Sequence, residues 1–149
     1  MRSFRRKPVR LELMKHLIDA DIFLEAQLDQ KKSQICRDFL AKVRDGEIEG
    51  VLTMFHADTI AVMMEKKGFQ NKISGFMLSL YMYEGLDVFT LELSGKAEAM
   101  MSNQGLSFDD SIAVHAMEEL KIEKIVSYDD DFDGVKERLT PEEALNNIR

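Results

Sequence analysis

In this 149-residue chain, the residues whose type and placement could do chemistry are its acids. Asp19 ends the apolar step Leu17-Ile18, with Asp21 two positions on. Asp58 falls in the first turns after Thr53, Asp109 and Asp110 follow Ser107, and Asp129 opens the run Asp129-Asp130-Asp131-Phe132-Asp133. Each has an ordinary reading taken alone, as a helix cap, a dipole-favouring acid or a polar turn. A single arrangement would account for all of them together. Carboxylates crowded into one place repel, and keeping them ionised requires cations between them. An all-oxygen set without Cys or a His ligand pair suits Mg2+ or Mn2+ rather than zinc. Such ions activate water and stabilise the leaving oxygen in phosphodiester cleavage.

Other readings of the same residues fit less well. Asp129-x-Asp131-x-Asp133-Gly134 matches the start of a calcium-binding loop, but its twelfth position is Thr140, where a bidentate Glu is needed. Leu17-Ile18-Asp19-Ala20-Asp21 resembles the nucleophile motif of haloacid dehalogenase-type phosphatases, without a convincing Lys partner. A receiver domain would need a Lys after its last strand, and Lys136 is poorly placed for that. His16, His56 and His115 show no metal-ligand spacing and read as structural. Cys36 is the lone cysteine, which excludes an internal disulfide and a Cys-based zinc site.

The elements that must position these acids follow from the apolar pattern. Residues 16–19 read as the end of a short strand. Residues 32–45 read as a helix with Ile35, Phe39, Leu40 and Val43 on one stripe and Gly46 closing it. A strand over 50–53 leads to Thr53, which caps a helix running to about Lys67 with Ala57, Ile60, Ala61 and Met64 inward. Residues 70–84 read as one helix, apolar almost all round in its second half, and burial within the monomer is expected, with a subunit interface as the alternative. A strand over 86–91 and a helix from Ser94 to about Gln104 come next. Ser107 caps a helix over 108–121, and 124–127 is a strand. Thr140-Pro141-Glu142-Glu143 carries the capping box of a final helix. Strands alternating with helices indicate an α/β domain with a mainly parallel sheet, which places sites at the carboxyl ends of its strands.

Composition bounds the rest. With 45% hydrophobic residues and 2 Pro, the chain suits one domain with a real core. The net charge of −7 speaks against a plain electrostatic nucleic-acid binder. That average hides a split. Residues 1–15 hold Arg2, Arg5, Arg6, Lys7, Arg10 and Lys15 against Glu12 alone, so this basic arm is positive by five and the body from 16 to 149 negative by twelve. Divalent ions held by the acids would reverse the local sign toward phosphate, and the arm would add long-range attraction. No signal peptide or membrane span is read, so a cytoplasmic location is expected.

The motifs, taken in order, resemble those of the PIN domain (PilT N-terminus) family of metal-dependent, VapC-like ribonucleases. Leu17 to Leu24 is similar to the family's opening strand and first acid, at Asp19. Thr53 to Val62 resembles the helix of the second acid, with Asp58 in place of the usual Glu. Leu106 to Ala113 is similar to the third motif, with Asp110 as its acid. Ser127 to Phe132 resembles the final motif, with Ser127 in place of Thr, Asp129 as the fourth acid and Asp131 in support. The resemblance spans about residues 16–140. It implies a three-layer α/β/α sandwich and Mg2+- or Mn2+-dependent hydrolysis of RNA. Asp19, Asp58, Asp110 and Asp129 would be catalytic and hold metal, with Asp131 as a further ligand. It implies an RNA substrate, and for many relatives an antitoxin protein and a homodimer; others process ribosomal RNA. A non-catalytic RNA- or protein-binding module of the same fold is the alternative, and a small phosphatase a weaker one.

Overall fold

The computed structural model describes residues 14–102 and 105–148, so all but the last two residues of the basic arm lie outside the described residues. Five strands form one sheet: β1 (Lys15–Ile18), β2 (Glu49–Thr53), β3 (Leu86–Phe89), β4 (Lys124–Val126) and β5 (Glu137–Leu139). Their order is β3-β2-β1-β4-β5, and all four pairings are parallel. Helices cover both faces of the sheet, and the strand residues alternate between two cores. Ile18, Leu52 and Val126 face one core; Leu17, Val51 and Ile125 face the other.

The first core is covered by α1 (Ala20–Gln27), α2 (Ser33–Arg44), α3 (Met54–Lys66), α4 (Ile73–Ser79) and α7 (Pro141–Asn146). Phe23, Phe39, Ile60 and Met64 fill it. The second core is covered by α5 (Leu93–Met101) and α6 (Phe108–Leu120), through Ala99, Ile112, Ala116 and Met117. The result is a three-layer α/β/α sandwich with a wholly parallel sheet. Gly85 closes the turn into β3 because nothing larger fits: a Cβ there would lie 2.3 Å from the Ile48 carbonyl oxygen and 2.6 Å from that of Val43.

Local signals in the sequence account for the helix ends. Thr53 caps α3 by accepting from the His56 N–H, and Ser107 caps α6 by accepting from the Asp110 N–H. Thr140 and Glu143 form the capping box of α7, with Pro141 at its first turn. Three expectations need correction. The segment 70–84 is not one helix: 3-10 turns at Gln70–Lys72 and Leu80–Met82 flank the short α4. Only Phe76 and Leu80 of that segment are buried, while Leu78, Tyr81 and Met82 are exposed, so burial within the monomer does not hold for those three. The cap of α5 is Glu92 rather than Ser94. Three residues long, β5 shows no periodic apolar run in the sequence; α1 is the helix that Asp19 caps by accepting from the Ala20 N–H. Among the described residues no helix is long and apolar enough to cross a membrane.

Candidate active site

The sheet order reverses between β1 and β4, and that crevice at the carboxyl edge is where an open parallel sheet offers a site. Asp19 immediately follows β1, and its backbone N–H continues the pairing by donating to the Val126 carbonyl at 3.0 Å. Its side chain accepts from the Ala20 N–H at 2.8 Å and from the Ser127 hydroxyl at 2.7 Å. Ser127 is the first residue beyond β4 and fully buried. Its oxygen accepts from the Asp129 N–H at 2.9 Å, so one hydroxyl bridges the Asp19 carboxylate and the Asp129 backbone.

The loop after β4 is held from three directions. Asp129 accepts from the Asp131 N–H at 2.9 Å and so caps the 3-10 turn Asp130–Phe132. Phe132 anchors that turn in the second core. Arg138 on β5 grips Asp133 through two nitrogens, at 2.8 and 3.1 Å, and donates to the Ser127 carbonyl at 3.2 Å. Asp133 is thereby committed to Arg138, which disposes of the calcium-loop pattern.

Asp110 arrives from the first turn of α6 and is 6% exposed. Asp110, Asp129 and Asp131 each offer a carboxylate oxygen, and these atoms lie within 4.8 Å of one another. The negative charges of Asp19 and Asp129 act on Asp110, and that of Asp129 acts on Asp19. Burial, then the neighbouring acids Asp19, Asp109 and Asp129, push the Asp110 carboxyl up to about 7. Burial likewise raises Asp19, against the pull of its Ser127 hydrogen bond. Two ligands of one Mg2+ stand at most about 4.2 Å apart, twice the usual bond of about 2.1 Å. Small side-chain rotations would bring the three oxygens to that spacing. A hard cation is also what such mutually repelling, partly desolvated oxygens call for, so the donor set fits Mg2+ or Mn2+.

Asp58 stands apart from these acids. It is exposed on α3, outside the set of three, and the buried stripe of that helix runs through His56, Ala57, Ile60 and Met64. The residue that α3 does turn toward the site is His56, which is 2% exposed. Its Nε2 donates to the Asp109 carbonyl at 3.0 Å and its Nδ1 meets the Thr53 hydroxyl. Burial lowers its pKa, so the ring is neutral, with its one proton on Nε2 and Nδ1 accepting from Thr53. The ring thereby ties the start of α3 to the start of α6, beside Asp19. The signal for this role was Thr53-x-x-His56, which sets the histidine at the third position of a capped helix.

Asp21 is a second residue whose place in the site spacing did not show. It accepts from the Tyr128 N–H at 3.0 Å and the Ser127 hydroxyl at 3.3 Å. Its other oxygen is buried without a hydrogen-bond partner among the described residues. Burial, then the charge of Asp19, push its carboxyl up to about 7. The spacing of two from Asp19 was visible, but on a strand-to-helix corner that spacing does not reveal the direction of the side chain.

Sheet order and switch point define a three-layer α/β/α domain with a PIN-like fold. Solved structures with the same fold bear this out. A VapC toxin of Mycobacterium tuberculosis, described as cleaving the sarcin–ricin loop, superposes with a TM-score of 0.65 at 9% identity, over 80% of this chain and 93% of that one. A toxin–antitoxin complex from Klebsiella pneumoniae gives a TM-score of 0.61 at 14% identity, over 85% of this chain and 97% of the other. At these identities the likeness is one of fold. No protein-family profile and no curated protein sequence matches the chain.

Proposed function

We propose that the chain is a divalent-metal-dependent endoribonuclease of the toxin type, acting through the carboxylates at the β1–β4 switch point. The observation that carries this reading is the convergence of Asp110, Asp129 and Asp131 within 4.8 Å, with Asp19 close enough for its charge to act on Asp110. Asp110, Asp129 and Asp131 would hold Mg2+ or Mn2+, and Asp19 would complete the site. The ion, when bound, supplies Lewis-acid polarisation of the phosphate and a water made more acidic. Ser127 keeps Asp19 and Asp129 aimed at one point, and Arg138 holds the loop that carries Asp129 and Asp131. Asp58, exposed on α3, is not part of the proposed ligand set. An antitoxin partner belongs to the same reading, in keeping with the toxin–antitoxin complex that shares the fold, as do a homodimer and a cytoplasmic location.

The test is cleavage of RNA in Mg2+ or Mn2+, with wild type beside Asp110→Asn. Metal-dependent cutting that disappears in the variant is expected. Cutting that survives in Asp110→Asn would overturn the assignment.

A second reading has one observation in its favour. The side chain that α3 buries beside Asp19 is the neutral ring of His56 rather than a carboxylate. An RNA-binding module that no longer cleaves would show RNA bound but intact in every metal.

A further inference from the structure

Beside the acids lies an aromatic pair that neither core needs in full. Phe55 in the first turn of α3 and Phe108 at the start of α6 meet edge to face, with ring centroids 5.2 Å apart and planes at 85°. Phe55 packs against the second core and stands nearly perpendicular to the His56 ring, at 5.3 Å. Phe108 is 43% exposed, as is Met54 beside Phe55. Lys96 of α5 holds its ammonium 5.6 Å from the centre of the Phe55 ring and has no carboxylate partner among the described residues. The His56 ring that Phe55 meets is in turn bonded to the Asp109 carbonyl, next in the chain to Asp110. Phe108 thus offers an exposed ring held by a second ring, with an ammonium alongside that has no carboxylate partner among the described residues.

We propose that Phe108, braced by Phe55 and flanked by Lys96, is a stacking platform for an unpaired base of the RNA whose phosphate lies at the acids. The inference rests on the nuclease reading and narrows its substrate to RNA that is single-stranded next to the cut. The chemistry selects this occupant. A nucleobase offers a flat π-face to the ring, and its sugar–phosphate offers negative charge to the ammonium. A paired base has both faces occupied within its helix and cannot use the platform. The edge-to-face contact leaves Phe108 oriented without covering it, so its ordering is complete before the base arrives.

The experiment measures binding of a short, dye-labelled single-stranded RNA by fluorescence anisotropy in Ca2+, and KM and kcat for its cleavage in Mn2+. Phe108→Leu, which keeps apolar bulk and loses the π-face, is expected to weaken binding and raise KM by about fivefold to a hundredfold, the range of base–aromatic stacking, with kcat unchanged. Phe108→Trp restores both. Replacing the bases one at a time by abasic nucleotides locates one position whose loss costs wild type this much and costs Phe108→Leu nothing. Lys96→Gln lowers the salt dependence of binding by about one ion. Equal binding by wild type and Phe108→Leu, or abasic penalties unchanged between them, overturns the platform and leaves the nuclease reading standing. Binding with the expected base dependence but no cutting in any metal keeps the platform and overturns the nuclease. RNA neither bound nor cut overturns both.

Discussion

The Ser127 hydroxyl donates to Asp19 at 2.7 Å, joining residues 108 positions apart in the chain across the junction of β1 and β4. The same oxygen accepts from the Asp129 N–H, so one small side chain sets the direction of two acids. Ser127→Ala removes both bonds, and the contact with Asp21, from a fully buried position. Loss of a partner behind a metal ligand weakens affinity by roughly 10- to 100-fold. Calorimetric titration with Mn2+ is expected to show that drop, and Ser127→Thr to recover most of it. Unchanged affinity in Ser127→Ala would mean that the turn Asp130–Phe132 and the Arg138 grip orient Asp129 unaided.

Asp58 and Asp110 should separate cleanly. Asp110→Asn is expected to abolish metal-dependent cleavage, while Asp58→Ala, which alters an exposed side chain outside the acidic set, leaves it in place. Asp110→Asn should also raise the melting temperature of the metal-free protein, because it removes one of several repelling charges from a buried spot. Thermal melts in EDTA check this second half independently of any activity.

The pH dependence has a definite sign. Asp21 and Asp110 are raised to about 7 in the fold, above the value near 3.9 of an unfolded Asp. Between those values the folded state holds more protons than the unfolded one, so stability falls as pH rises from about 4 to about 7. The stabilisation is complete below the lower value and gone above the upper one. Melts of the metal-free protein should therefore decline across that window. Mn2+ should restore more stability at pH 8 than at pH 5, since it binds the ionised carboxylates. A melting temperature that climbs steadily over the same range in EDTA would contradict the crowding of these acids.

Gly85→Ala tests the fold away from the site. The added methyl would press on the carbonyl oxygens of Ile48 and Val43, both backbone atoms with little room to move. Overpacking of this kind costs about 1–3 kcal/mol, and urea unfolding is expected to show a loss in that range. Metal affinity per folded molecule stays constant, because β3 lies two strands from β1.

Much of this was legible in the residues. The caps Thr53, Ser107 and Thr140, the stripes of α2, α3 and α6, and the acids at strand ends were all local signals, and local signals survive into the structure. The segment 70–84 misled because its apolar residues suggested a helix buried all round, whereas Leu78, Tyr81 and Met82 point to solvent. Periodicity reports which residues share a face, not whether anything covers it. His56 and Asp21 escaped for a different reason. Their significance comes from Asp109 and Tyr128, partners 53 and 107 positions away that no window of sequence contains.

The central place of β1 in the sheet has a consequence for synthesis. Its neighbour β4 is among the last elements to be made, and β5, which carries Arg138, comes later still. A growing chain therefore exposes Asp19 and Asp21 long before Ser127 exists to receive them. A product stopped anywhere short of residue 124 has half a crevice and none of the final motif. The cluster of Asp110, Asp129 and Asp131 therefore cannot assemble until Asp131 has been made.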